Sequence, residues 1–170
     1  MALRREVLAA LPAMALVAVS PNAAYARANA SGGARSGAVS RGDFDRYVSL
    51  YNASDPGFTR FYHDDVVMET VPPLTSAAAI RDFRRELAAF VVEHITVEYY
   101  VADENGSAAQ FLGEFRCVRD MPASALSGLF GKGAKKGQVL RQRGIILYGV
   151  KDGKFTWIRA APPIILQDWS

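Results

Sequence analysis

The chain has 170 residues, with 20 Lys+Arg against 17 Asp+Glu and a formal net charge of +3. That length supports one domain with a real core and excludes two comfortable ones. From Arg27 onward the balance is 18 basic to 16 acidic side chains, which leaves no electrostatic footprint for nucleic acid.

The first 26 residues read as a secretory signal peptide. Arg4-Arg5 precedes an apolar run, Val7 to Ser20, broken only by Pro12, and Ala24-Tyr25-Ala26 is a small-x-small cleavage pattern. The run is too short for a membrane anchor. The arginine pair followed by Glu6-Val7-Leu8 resembles the twin-arginine type, with general secretion as the alternative; either implies export, to the periplasm. Residues 27–42, rich in Gly, Ser, Ala and Arg, read as a disordered leader, which leaves a folded domain over 43–170 that begins near Ser40.

Helical spacing over Ser40 or Asp43 to Asn52 places Phe44, Tyr47, Val48 and Tyr51 on one stripe. Asp55-Pro56-Gly57 then makes a turn into a short second helix. A strand over Val66 to Val71 is stopped by Pro72-Pro73. The next helix starts at a Ser76 cap and runs to about Val92. Ile80, Phe83, Leu87 and either Phe90 or Val91 form its apolar stripe, and Arg81, Arg84 and Arg85 its wet side.

Three long strand patterns follow: His94 to Ala102, Ser107 to Arg119 and Gln138 to Val150. Asn105-Gly106 is a hairpin signal between the first two. Loop 120–137 carries an apolar knot (Ala125, Leu126, Leu129, Phe130) and a basic cluster, Lys132, Lys135 and Lys136, read as a solvated tip. A Lys151-Asp152-Gly153 turn leads to a last strand, Lys154 to Ala161. Pro162-Pro163 ends it, and the apolar tail Ile164-Ile165-Leu166 is expected to bury itself. The single Cys117 sits in a strand pattern, cannot form an intramolecular disulfide, and reads as a small buried hydrophobe rather than a nucleophile.

This order predicts an α+β cystatin-like cone. Long consecutive antiparallel strands curl by their own twist, the second long helix covers the concave face, and a cavity remains where the helices do not reach. Gly113 would kink its strand and tighten the curl.

Several stretches carry a family resemblance. Arg46-Tyr47-Val48, Leu50 to Asp55, Phe61 to Glu69, Ala79 to Phe83, Gly144 to Tyr148 and Asp152 to Phe155 together resemble the nuclear-transport-factor-2-like, or SnoaL-like, superfamily over nearly everything after Ser40. The resemblance implies the cone and a cavity that in relatives serves ketosteroid isomerases, scytalone dehydratase, limonene epoxide hydrolase, polyketide cyclases, cofactor-free aryl lyases and non-catalytic domains.

Carried over residue by residue, it implies as many departures as matches. Tyr47 falls on the isomerases' oxyanion-hole tyrosine, but their general base falls on Thr70 and their second acid on about Ile145. The epoxide hydrolase's strand aspartate falls on about Ala160. Tyr51 and His94 match scytalone dehydratase positions, whereas its helix aspartate falls on Asn52.

With the strand registers set by this resemblance, the inward face comprises Ala109, Phe111, Gly113, Phe115 and Cys117, then Arg141, Arg143, Ile145 and Leu147, then Ile158 and Ala160. The expected site is an apolar cup with two arginines, two tyrosines (Tyr47, Tyr51) and His94, lined further by Met68, Thr70, Phe83, Phe111, Phe115, Ile145, Leu147 and Ile158. Each has a plainer alternative. Arg141 and Arg143 either face the cup or sit at its rim and pair with Glu114 or Glu69; His94 is either a proton carrier or a surface cap; the tyrosines are either functional or core aromatics. His63 beside two aspartates reads as solvated. Two separated histidines and one cysteine give no metal-ligand spacing, so neither metal nor cofactor is expected.

The expected function is a cofactor-independent lyase, dehydratase or isomerase step on a small apolar, aromatic substrate with an acidic or enolisable group. Arg141 and Arg143 would hold a carboxylate or oxyanion, Tyr47 or Tyr51 would donate a hydrogen bond, and His94 would shuttle the proton. The alternative is a non-catalytic periplasmic ligand-binding or assembly domain. A homodimer through the sheet's outer face is expected, with loop 120–137 as a lid or dimer contact.

Overall fold

The computed structural model describes residues 37–170; the signal peptide and most of the expected leader lie outside the described residues. The end of that leader belongs to the fold. Val39 is 2% exposed and its carbonyl accepts the Tyr100 hydroxyl at 2.8 Å. Val39 precedes a Ser40 cap whose Oγ accepts the Asp43 N–H at 3.1 Å. It shares a core with Phe44, the staple arrangement that fixes a chain's entry into a helix. Helix α1, Arg41–Asn52, buries Phe44, Tyr47 and Val48.

Asp55 caps the 3₁₀ turn Pro56–Phe61, accepting the Gly57 N–H at 2.7 Å, and the turn buries Phe58 and Phe61. Strand β1, Tyr62–Met68, leads to helix α2, Ala77–Ala88, capped by Ser76. Helix α2 ends before the expected Val92 because β2, Val91–Ala102, takes over there. Its buried stripe is Ile80, Arg84 and Leu87. Arg84, expected on the wet side, is therefore inside, and Phe83 flanks the stripe half-buried. Strands β3, Gly106–Cys117, β4, Val139–Lys151, β5, Lys154–Ala160, and β6, Ile164–Gln167, complete the chain.

These strands make one curved, unclosed mixed sheet in the order β1-β5-β4-β3-β2, with β1 parallel to β5 and the other pairs antiparallel. β5 pairs with Ile146 to Lys151 of β4, and β6 continues along the same edge against Arg141 to Arg143. The α+β cone expected from the sequence is the fold observed.

The sheet's parity is where expectation fails. β3 presents Ala109, Phe111, Phe115 and Cys117 inward as expected, all buried. Phe111 stands opposite Gly144, Gly113 opposite Gln142 and Phe115 opposite Leu140. Directly opposed residues share a face, so the concave face of β4 is Leu140, Gln142, Gly144, Ile146 and Tyr148. Arg141, Arg143, Ile145 and Leu147 lie on the convex face. A slip of one residue moves a whole side-chain set across a sheet.

The local irregularity also differs from expectation. Within the β2–β3 pairing it lies between Val97 and Tyr99 on β2, not at Gly113. Gly113 instead leaves room for Phe115, whose ring would lie 3.1 Å from an added Cβ.

Two cores hold the cone. The first packs α1 and the 3₁₀ turn against the sheet's centre around Phe44, Tyr47, Tyr62, Tyr148 and Phe155. The second joins Leu87 and Val91 to Phe115, Leu140 and loop 120–137 through Met121, Leu126 and Ala134. Phe130 sits edge-on between Phe115 and Trp169, at 5.5 Å from each.

Of the expected apolar knot, Leu129 stays half exposed while Leu126 is buried. The loop lysines are exposed, as the solvated-tip reading expects, and two make surface ion pairs: Lys135 with Asp120 and Lys132 with Asp168. The tail does not bury itself through Ile164-Ile165-Leu166, which forms β6 with Ile164 66% exposed; Trp169 is its anchor. Cys117 is buried and its thiol donates to the Arg119 carbonyl, as its reading as a small hydrophobe expects.

Candidate functional site

The polar groups inside the cone are not those expected. Strand β2 begins at Val91, so alternation turns Val91, Glu93 and Ile95 inward and leaves Val92, His94 and Thr96 outside. Asn52, the last residue of α1, holds this start in place. Its side chain donates to the Ile95 carbonyl and accepts the Ile95 N–H, both at 2.9 Å.

Glu93 is thereby held against two helices. Tyr51 donates its hydroxyl to Glu93 Oε2 at 3.0 Å. Arg84 Nη1 lies 3.2 Å from the same oxygen, with side chains of Arg84 and Glu93 only 5% and 10% exposed. The guanidinium stacks over the Tyr51 ring at 4.4 Å and its Nη2 reaches the Tyr51 carbonyl at 3.5 Å. Arg84 Nε and Nη1 have no hydrogen-bond partner, so the pair is held by charge more than by well-aligned hydrogen bonds.

Burial pushes the Glu93 carboxyl above the usual carboxylate range; Arg84 and the Tyr51 hydroxyl pull the other way without overcoming it. Beside it, Tyr47 and Tyr62 share a hydrogen bond of 3.1 Å. Burial raises the Tyr47 phenol to about 12, and burial likewise holds Tyr51, Tyr62 and Tyr148 well above the ordinary phenol value. These phenols are hydrogen-bond donors at neutral pH, and the carboxyl is the group suited to exchange a proton.

Two small cavities adjoin this acid. One of about 70 Å³ is bordered by Tyr47, Tyr51, Met68 and Ile158; one of about 100 Å³ by Gly113, Phe115, Gln142, Gly144 and Ala160. Both are also lined by Glu93, Ile95, Phe111 and Ile146. A groove of about 930 Å³ lies outside, between α2, the segment after β1 and the 120–137 loop, and includes Thr70, Leu74, Phe83, Leu126 and Ala160.

The expected residues thus divide. Tyr47 and Tyr51 are inside, with Met68, Phe111, Phe115 and Ile158 in the cavity walls. Thr70 and Phe83 line the outer groove instead. Ile145 borders the larger inner cavity but is 46% exposed, and Leu147 lies in a depression on the convex side with Trp157.

Arg141, Arg143 and His94 leave the site. Arg143 forms a two-pronged pair with Glu98, at 2.8 and 2.9 Å. Arg141 pairs with Glu114 at 2.9 Å, the rim alternative, and His94 is exposed opposite Glu114. Glu69 pairs with Arg159 rather than with either expected arginine.

The residues that sequence reading missed are Glu93, Arg84, Tyr62 and Tyr148. The Val91-x-Glu93-x-Ile95-x-Val97 alternation marks the first, once the strand is begun three residues earlier. Arg84 follows Ile80 by four and precedes Leu87 by three, the spacing of a buried stripe. Among the described residues no group of three or more His, Cys, Asp or Glu converges as a metal site, and no helix is long and apolar enough to cross a membrane.

Solved structures share this architecture. The cone is similar to TsrD from Streptomyces laurentii, at 18% identity and a TM-score of 0.56 over 69% of this chain and 83% of that one. It is similar to a SnoaL-like polyketide cyclase from Agrobacterium tumefaciens, at 15% identity and 0.55 over 71% and 88%. An LEH-like epoxide hydrolase from M. tuberculosis aligns at 12% identity and 0.52 over 69% and 77%. Among curated proteins the comparison finds no match. The model of the SnoaL-like domain matches residues 37–158, a span that takes in the Val39 staple, both helices and the sheet through Ile158, and the chain therefore belongs to the SnoaL-like domain family.

Proposed function

We propose that this protein is a cofactor-independent acid–base enzyme that carries out a lyase, dehydratase or isomerase step on a small, largely apolar, aromatic substrate. The observation that carries this reading is Glu93: a buried carboxyl with a raised affinity for its proton, bordering two cavities. A carboxyl that burial makes hold its proton more tightly is better suited to both take and return one than an ordinary solvated carboxylate. Tyr51 and Arg84 position it. The Tyr47 phenol, which borders the smaller cavity and is held by Tyr62, supplies a fixed donor for developing negative charge, worth a few kcal/mol when desolvated. The carboxylate-binding role expected of Arg141 and Arg143 has no support once both lie on the convex face. Similarity to a polyketide cyclase and an epoxide hydrolase supports an enzyme of this class. The leader pattern of Met1 to Ala26 supports export to the periplasm.

The test is a screen of the purified protein against aromatic and polyketide-like compounds without added cofactor, read by mass spectrometry. Glu93→Gln is expected to lower turnover about 10²–10⁴-fold, while Arg143→Ala leaves it near wild type. Full activity in the Gln variant would remove Glu93 from the chemistry.

A non-catalytic dimer is the second reading, and one observation favours it: Tyr99, Val101, Leu147 and Trp157 are exposed on the convex face. That face is the one we propose for a homodimer. Sedimentation of a Leu147→Glu variant as a monomer, where the wild type is a dimer, is the expected result.

A further inference from the structure

We infer that Ala160 is the threshold between the outer groove and the inner cavity beside Glu93, and that the substrate is a two-part, uncharged molecule whose reactive end passes it. This deepens the function proposed above and rests on it.

Ala160 borders both spaces: the groove of about 930 Å³ and the cavity of about 100 Å³ that also contains Glu93. It closes β5 opposite Ile146, on the concave face, and remains exposed. Its methyl group is therefore all that the side chain contributes to the passage. On β4 the same cavity is bordered by Gly144, which adds no side chain, while Phe115 fills the space beside Gly113.

The sizes divide the ligand. An apolar cavity of roughly 150 Å³ takes one benzene ring, so the inner space of about 100 Å³ accepts less than a ring, such as a short acyl unit. The groove has the volume of a site for a whole drug-sized molecule. Its apolar walls, Leu74, Phe83 and Leu126 among them, suit an extended apolar body.

Charge selects against an acid. Among the groove's lining residues Glu69 is paired with Arg159 and Asp82 with Arg81 and Arg85, so its one lining cation, Arg85, is already engaged, and Glu86 makes no ion pair among the described residues. An anionic body would find no free cation among the groove's lining residues and one unpaired carboxylate, Glu86.

The experiment follows amide resonances of the protein titrated with acetophenone and its 4-alkyl homologues from ethyl to hexyl. Acetophenone is expected to shift Ile95 and Gly113. The longer homologues add shifts at Thr70 and Leu126 and tighten binding up to about fourfold per methylene. The matching 4-alkylbenzoates bind at least tenfold more weakly.

Ala160→Leu, at an exposed strand end that the fold tolerates, should abolish the Ile95 and Gly113 shifts and preserve those at Thr70 and Leu126. Ala160→Val should give an intermediate loss. Inner shifts that persist in Ala160→Leu overturn the threshold, and so does a hexyl homologue that binds no better than acetophenone, or a wild type that none of the ketones perturbs. Benzoates that bind as tightly as the ketones overturn the uncharged class. Undiminished turnover in Glu93→Gln alongside these shifts would instead sink the catalytic reading and leave the threshold standing.

Discussion

Glu93 and Glu98 lie five residues apart on one strand, each against an arginine, and the two pairs behave in opposite ways. Glu93 faces inward with Arg84, and burial holds its carboxyl above the ordinary range. Glu98 lies across the irregularity that follows Val97, where Arg143 and Gln110 donate to it and hold its carboxyl below that range. Composition is the same; solvent is not. An exposed pair lies in high dielectric and contributes little to stability, whereas a buried one is costly to assemble and costlier to break.

The largest test removes the buried cation. Arg84→Ala leaves Glu93 inside without a counter-charge, and a loss of about 3–5 kcal/mol is expected from urea unfolding at neutral pH. That loss should shrink in acid, where Glu93 is neutral. A loss that is small at all pH values would mean that Glu93 is protonated throughout and that Arg84 does not hold it.

The comparison sharpens with pH. Glu93 has a folded pKa above its unfolded value, so between the two the native state binds more protons. Its contribution is fully present below the unfolded pKa and is lost as pH rises through the folded one. Stability of the wild type minus that of Glu93→Gln should therefore fall from acid toward neutral pH. Glu98, lowered by Arg143, has the other sign: its contribution is present above the unfolded pKa and is lost as pH falls through the folded one. Differential unfolding of Glu98→Gln should show the opposite slope, and parallel slopes would erase the distinction between the two pairs.

The smallest effect is expected at the surface. Arg143→Ala, which removes an exposed partner, should leave the melting temperature close to that of the wild type. A loss comparable to that of Arg84→Ala would show that the convex face is covered in solution.

What the sequence disclosed follows from the same contrast. The elements were legible because Ser40 and Ser76 are caps, Asn105-Gly106 is a turn and the strands are long. The face of β4 was not. Arg-Gln-Arg-Gly-Ile-Ile-Leu-Tyr puts apolar residues on both faces, with Ile146 and Tyr148 inside and Ile145 and Leu147 outside, so alternation alone leaves two solutions. Pairing of Phe111 with Gly144 decides between them, and that is a long-range fact. Arg84 was hidden for a related reason. A charged residue at a core spacing looks like the wet side of a helix until an acid is found facing it, and a strand begun at His94 leaves Glu93 outside it.

Asn52 has a consequence beyond the site. Strand β2 is an outer margin of the sheet, and an open margin invites another chain to add itself as a new strand. By presenting both a donor and an acceptor to Ile95, the Asn52 amide imitates a neighbouring backbone and occupies that position from within. The same contact that sets the acid in place therefore covers one step of that margin, at Ile95.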